Sequence, residues 1–151
     1  MYITKVERGD LERRWALPDR IFFACGACQV LAYAALQTFP NFKAIWIKPH
    51  QGYIGNHIVA VSGDTAFDYH GFSDWSVLLA HTRAKARRWW PGWDADLIAL
   101  PQDVLISEAK SRTYQGLWLR QPDQFLHNAM PRAYRFLDRL NAAQRKRSRV
   151  A

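Results

Sequence analysis

The alternation of apolar and polar residues along the chain predicts a mixture of helices and strands. Residues 28–39 are apolar almost all round, so we expect a buried helix there, ended by Pro40. Residues 43–48 (KAIWIK) are rich in β-branched and aromatic side chains on both faces, which predicts a central strand. Residues 57–71 are typical of a β-hairpin, with turn-forming residues at 62–65.

The segments on either side of this region are predicted to be mainly helical. Apolar periodicity and the positions of proline and glycine indicate their boundaries. The predicted helices cover residues 8–16, 74–90, 103–110, 123–129 and 131–146, and a further strand covers residues 95–100. This order of elements predicts an α+β fold in which the buried helix packs on a small antiparallel sheet and the C-terminal part is helical.

The chain of 151 residues is long enough for one domain with its own hydrophobic core, and we expect a single domain over residues 1–151. No apolar run approaches the ~20 residues that a membrane-spanning helix needs. The first fifteen residues carry too many charges for a signal peptide. A cytoplasmic protein is therefore expected, or an effector or toxin exported without a cleaved signal peptide.

The formal net charge is +8, and much of the excess lies in two clusters. Such clusters favour contact with nucleic acid, anionic lipid or an acidic protein. The alternative is a solvated helix face together with a disordered basic tail at residues 145–151. The clusters are Arg83, Lys85, Arg87 and Arg88, and Arg145, Lys146, Arg147 and Arg149.

Two cysteines open the buried helix, in the sequence FFACGACQVLAYAAL. They are too few for a disulfide framework, and no second Cys-x-x-Cys supports a four-ligand zinc site. Cys28 falls in the first helical turn, where free N–H groups favour a thiolate and can bind a developing oxyanion. A nucleophile is therefore one interpretation of Cys28, and core packing or a redox pair with Cys25 are the others. Cys25 is expected to be structural, with nucleophile as its alternative role.

A thiolate nucleophile needs a base, usually histidine, which a third group orients. A hairpin turn at residues 62–65 pairs Val61 with Ala66 and would place His57 opposite His70. In this register Asp68 is the diagonal neighbour of His57 on the same face. Cys28, His57 and Asp68 are thus the candidate catalytic residues, and a metal site of His57, His70 and Asp68 is an alternative.

Cys-Gly-Ala-Cys before a buried helix, then a histidine starting one strand and an aspartate on the next, resembles papain-like and transglutaminase-like cysteine enzymes. The resemblance covers roughly residues 19–71 and fits the compact bacterial members of that group. It implies a papain-like core, with Cys28 as nucleophile, His57 as base and Asp68 as the residue that orients His57.

The chain departs from the papain pattern around the oxyanion hole. Gln29 stands where papain-type enzymes have an aromatic residue, and their upstream glutamine is absent. The candidate oxyanion or substrate contacts are the backbone N–H of Cys28 or Gln29, the side chains of Asn56 and Gln51, and His70.

The resemblance implies a thiol hydrolase or acyltransferase that acts on an amide or ester bond of a protein or peptide, without metal or organic cofactor. The competing interpretation is a non-enzymatic basic module that binds nucleic acid or an acidic partner.

Overall fold

A computed structural model describes residues 9–150, which form an α+β fold with helices packed on a five-stranded antiparallel sheet. The helices in this part of the chain are α1 (Leu11–Trp15), α2 (Asp19–Ala24), α3 (Cys28–Thr38), α4 (Trp75–Trp89), α5 (Glu108–Ser111) and α6 (Met130–Val150). The strands are β1 (Lys43–Pro49), β2 (His57–Ser62), β3 (Thr65–Asp68), β4 (Gly71–Asp74) and β5 (Ala95–Leu100). Two 3-10 helices, Gln102–Ile106 and Pro122–Gln124, lie between β5 and α6.

The strand order in the sheet is β4-β3-β2-β1-β5. The two apolar faces of β1 fit its position between β2 and β5, because both faces of a covered sheet must be buried. β2 and β3 form a hairpin in which Val61 pairs with Ala66 and Ser62 pairs with Thr65, around a two-residue turn. The register predicted at the turn is therefore confirmed.

Helices cover both faces of the sheet. On one face, α3 and α6 pack in a cluster that includes Val30, Ala60 and Leu137, all of them buried. On the other face, Leu78 of α4 packs against Val59 in a separate cluster. The predicted packing of the buried helix on an antiparallel sheet is thus confirmed, and side-chain alternation along β2 directs successive residues to opposite helical layers.

Some predicted elements differ from the structure. Residues 123–129 form only a 3-10 helix followed by bends, and residues 103–110 divide into a 3-10 helix and the short α5. The sequence analysis did not predict α2, whose N-cap residue is Pro18; proline is compatible with the start of a helix. The predicted helix over 8–16 begins outside the described residues; within them, α1 covers Leu11–Trp15.

The C-terminal basic segment also differs from the prediction. It was expected to be disordered from residue 145, but α6 continues to Val150. Arg145, Lys146, Arg147 and Arg149 are exposed on its last turns. Cations near a helix C-terminus interact favourably with the helix dipole, which is consistent with a helical end.

Candidate active site

The turn that joins α2 to α3 positions both cysteines. Cys25 follows the last residue of α2, Gly26 has a left-handed φ of 96°, and α3 starts at Cys28. A buried arginine, Arg14 of α1, donates a hydrogen bond from Nη2 to the Cys25 carbonyl oxygen at 2.7 Å. Its guanidinium occupies the space that a Cβ on Gly26 would fill, so this turn requires glycine for both conformation and room.

Cys28 is the first residue of α3 and is buried, with 9% of its surface exposed. No side chain within residues 9–150 caps this helix, and the N–H groups of Val30 and Leu31 both donate to Ala27 O. The N–H groups of Cys28 and Gln29 precede these in the first turn, where helix geometry provides no acceptor. They are therefore suitably placed to stabilise negative charge near Cys28.

His57 and Asp68 lie at the same end of the sheet, because β2 begins at His57 and β3 ends at Asp68. His57 Nε2 and Asp68 Oδ2 are 3.0 Å apart, with 13% of the His57 side chain and 3% of the Asp68 side chain exposed. Asp68 Oδ1 also accepts a hydrogen bond from the backbone N–H of His70 at 2.8 Å. The carboxylate is thus fixed by groups on both of its oxygens.

The electrostatics of His57 connect it to Cys28 as well as to Asp68. Burial opposes the charged ring and is the largest single effect, but the interactions of the ring with Asp68 and with the nearby Cys28 thiol outweigh it. Together they raise the pKa of His57 to about 10. Because Nε2 of His57 bonds to Asp68, Nδ1 is the ring nitrogen that remains for the Cys28 thiol.

The pKa of Asp68 changes in the opposite direction. Burial would raise it, but the hydrogen bonds from His57 and His70 hold it well below its usual range. The structure therefore brings Cys28, His57 and Asp68 into one connected group in which a charged imidazole and a carboxylate stabilise each other.

The other predicted site residues have different positions. Gln29 is buried, and its Nε2 donates to the carbonyl oxygens of Gly26 and Arg120 at 3.1 and 2.9 Å. Its side chain therefore fixes the loop, so that only its backbone N–H could contact an oxyanion. Gln51 is exposed and is not part of the cleft beside His57.

Asn56 directly precedes the histidine and lines that cleft. Its Oδ1 accepts from Trp46 Nε1 at 2.9 Å, and its Nδ2 donates to Gly116 O at 3.3 Å. These two bonds orient the side-chain amide of Asn56 and use only one of its two N–H groups. His70 lies in the turn between β3 and β4, and not in β3 opposite His57 as the extended register predicted.

The cleft has a volume of about 510 Å³ and is walled by α2, α4 and the loop that precedes β2. Cys25, Asn56, His57, Asp68 and His70 line it. Cys28 is not among the lining residues, because its side chain packs below the surface beside Ala32 and Ile58. A ligand in the cleft would therefore contact His57, whereas Cys28 lies beneath the lining residues.

Sequence reasoning missed four residues that shape this site. Arg14 supports the cysteine turn, and Arg20 of α2 and Lys85 of α4 line the cleft. Tyr69 packs its ring edge-on to His57 at 5.5 Å, and burial raises the pKa of Tyr69 to about 12. Only Lys85 had any signal in the sequence, as part of the predicted basic cluster.

The predicted basic cluster on α4 is partly neutralised. Arg83 and Arg87 both pair with Asp94, at 3.2 and 3.9 Å.

In the described part of the chain, no group of three or more His, Cys, Asp or Glu side chains is arranged to hold a metal ion. Within the same residues, no helix is long and apolar enough to cross a membrane.

Comparison of the chain with protein-family models, with curated proteins and with solved structures finds no match.

Proposed function

We propose that this protein is a thiol hydrolase or acyltransferase with a papain-like core, in which Cys28, His57 and Asp68 act as a catalytic triad. The observation that carries the proposal is that His57 bonds to Asp68 at 3.0 Å and at the same time lies close enough to the Cys28 thiol for the two groups to affect each other's charge. A nucleophile, a base and a group that orients the base are the three parts that thiol catalysis requires.

In the proposed reaction, His57 as imidazolium already carries the proton of the Cys28 thiol on Nδ1, and the thiolate sulfur attacks the carbonyl carbon of an amide or ester. The negative charge on the carbonyl oxygen is stabilised by the backbone N–H groups at the start of α3, with Asn56 as a side-chain donor. His57 then gives its proton to the leaving amine or alcohol as the carbonyl–heteroatom bond breaks, which leaves a thioester on Cys28.

The thioester is resolved by water or by an amine. His57 removes a proton from the attacking molecule, the new acyl bond forms, and the carbon–sulfur bond breaks to restore the thiol. Asp68 stays ionised throughout and stabilises the imidazolium in both steps. None of these steps involves a metal or organic cofactor. The proposed substrate is a protein or peptide. The same proposal includes delivery of the chain into another cell as an effector or toxin.

The test is the pH dependence of Cys28 alkylation by iodoacetamide, mapped by mass spectrometry, in the wild type and in His57→Ala. If the proposal is correct, the wild type reacts rapidly below pH 7 and the variant does not, because only an imidazolium partner keeps the sulfur ionised there. His50→Ala is the matched control, since His50 is exposed and pairs with Asp96 away from the cleft. Slow alkylation that rises only in alkaline solution and is indifferent to His57 would contradict the proposal.

A further inference from the structure

The charged side chains that line the cleft beside His57 are mainly positive. Two cations line it, Arg20 on α2 and Lys85 on α4. Asp68 is the only carboxylate among the described residues that line the cleft, and it is already paired with His57. The space open to a ligand is therefore bordered by positive charge that no lining carboxylate compensates.

Arg20 and Lys85 also differ in their ion pairing from several arginines of the fold. Arg83 and Arg87 of α4 pair with Asp94, and Arg132 and Arg139 of α6 pair with Asp19. Within residues 9–150, neither Arg20 nor Lys85 forms an ion pair with a carboxylate. A cation that lacks an internal partner beside a catalytic group is available to pair with a charge on a ligand.

Apolar side chains surround the same opening. Ile54, in the loop before β2, is 59% exposed, and Val77 of α4 is 62% exposed. Trp90 also lines the cleft, and the buried Trp93 forms part of its wall, with its Nε1 donating to Ile54 O at 3.0 Å. Ligand clefts commonly combine such apolar walls with a few polar groups that fix orientation.

We propose that the cleft selects acyl substrates that carry a carboxylate next to an apolar side chain, so that the natural substrate is an acidic peptide-like amide or ester. The carboxylate pairs with Arg20 and Lys85, and the apolar group packs against Ile54 and Val77. This inference rests on the proposed function, since it assigns the substrate class of the same site.

The test uses two reagents that differ only in charge, N-iodoacetyl-phenylalanine and its neutral amide. In both reactions the Cys28 sulfur forms a bond to the reagent's methylene carbon as the carbon–iodine bond breaks and iodide leaves. The measured quantity is the ratio of the acid rate to the amide rate at Cys28, with peptide mapping to separate Cys25. The same ratio for a short unstructured cysteine peptide gives the baseline.

We expect the wild-type ratio to exceed the baseline. In each of the single variants Lys85→Gln and Arg20→Gln, the ratio should fall by about two- to fivefold, which is the effect of losing one partly exposed ion pair. Arg88→Gln is the matched control, because Arg88 is exposed on α4 but does not line the cleft. Its ratio should equal that of the wild type. The charge on His57 is common to all of these proteins and cannot cause a difference between them.

A ratio that is the same in the wild type, Lys85→Gln and Arg20→Gln overturns the inference, whatever happens to the absolute rates. Failure of the proposed function gives a different result, namely that His57→Ala alkylates as fast as the wild type with the neutral reagent. The two failures are therefore distinguishable within one set of measurements.

Discussion

His57 Nε2 lies 3.0 Å from Asp68 Oδ2 at a point where both side chains are largely withdrawn from water. Each group changes the ionisation of the other: the pKa of His57 is raised and the pKa of Asp68 is lowered. The pair is therefore expected to exist as imidazolium and carboxylate near neutral pH. In the proposed mechanism this relationship controls the reactivity of Cys28, and it predicts how stability depends on pH.

Replacing Asp68 by Asn keeps the shape of the side chain and removes its charge. We expect the pKa of His57 to fall towards its ordinary value of 6.5, and Cys28 alkylation at pH 6 to slow by at least about tenfold. Histidine titration followed by NMR and the alkylation rate measure the two effects. Asp64→Asn, in the exposed hairpin turn, is the control and should change neither. An unchanged His57 titration in Asp68→Asn would show that the carboxylate does not stabilise the imidazolium.

The free energy of unfolding should depend on pH through the same pair. Because the pKa of His57 is raised, its contribution is complete below about pH 6.5 and is lost as the pH rises towards 10. Because the pKa of Asp68 is lowered, its contribution is complete above about pH 3.8 and is lost in more acidic solution.

The advantage of the wild type over His57→Gln is therefore expected to be largest between about pH 4 and 6.5, and to shrink by roughly 2–4 kcal/mol by pH 10. Urea denaturation of both proteins across this range measures it. A difference that stays constant from pH 6 to pH 10 would be inconsistent with a raised pKa for His57.

The two cysteines should differ in reactivity although only three positions separate them. Cys25 lines the cleft but follows the C-terminal end of α2, whereas Cys28 starts α3 and interacts electrostatically with His57. We expect Cys25→Ser to alkylate at Cys28 within about threefold of the wild-type rate at pH 6, and Cys28→Ser to lose the rapid reaction. The reverse pattern would identify Cys25 as the nucleophile.

Gly26→Ala should destabilise the protein more than Gly52→Ala, although both glycines have nearly the same positive φ, 96° and 91°. Both variants incur the cost of a left-handed alanine, about 1–2 kcal/mol. At Gly52 nothing lies within 4 Å of the added methyl group, whereas at Gly26 it would displace the guanidinium of Arg14. The hydrogen bond from Arg14 to Cys25 O would then be lost, adding about 1 kcal/mol or more.

Thermal and urea unfolding give the comparison of stability, and Cys28 alkylation reports the shape of the turn. Equal losses of stability in the two variants would mean that Arg14 moves away at little cost and does not support the cysteines.

Much of the secondary structure follows from local sequence. The apolar run predicted a helix over 28–39, and α3 covers Cys28–Thr38, while the strand predicted at 95–100 coincides with β5. These elements are determined by side-chain periodicity and by turn residues within a few positions of one another. The segment 123–129 was predicted wrongly as a helix, because its short apolar pattern had no comparable length or caps.

By itself, the sequence determined the candidate triad and the register next to the hairpin turn, since a two-residue turn fixes which residues pair there and alternation fixes their faces. Only the tertiary structure decided that Cys28 reaches His57, because they come from an α-helical layer and from the first residue of a strand. The contacts of Arg14 with the cysteine turn, and the positions of Arg20 and Lys85 in one cleft, also depend on tertiary packing. Contacts between distant segments arise from the packing of whole elements, and no local pattern in the chain encodes them.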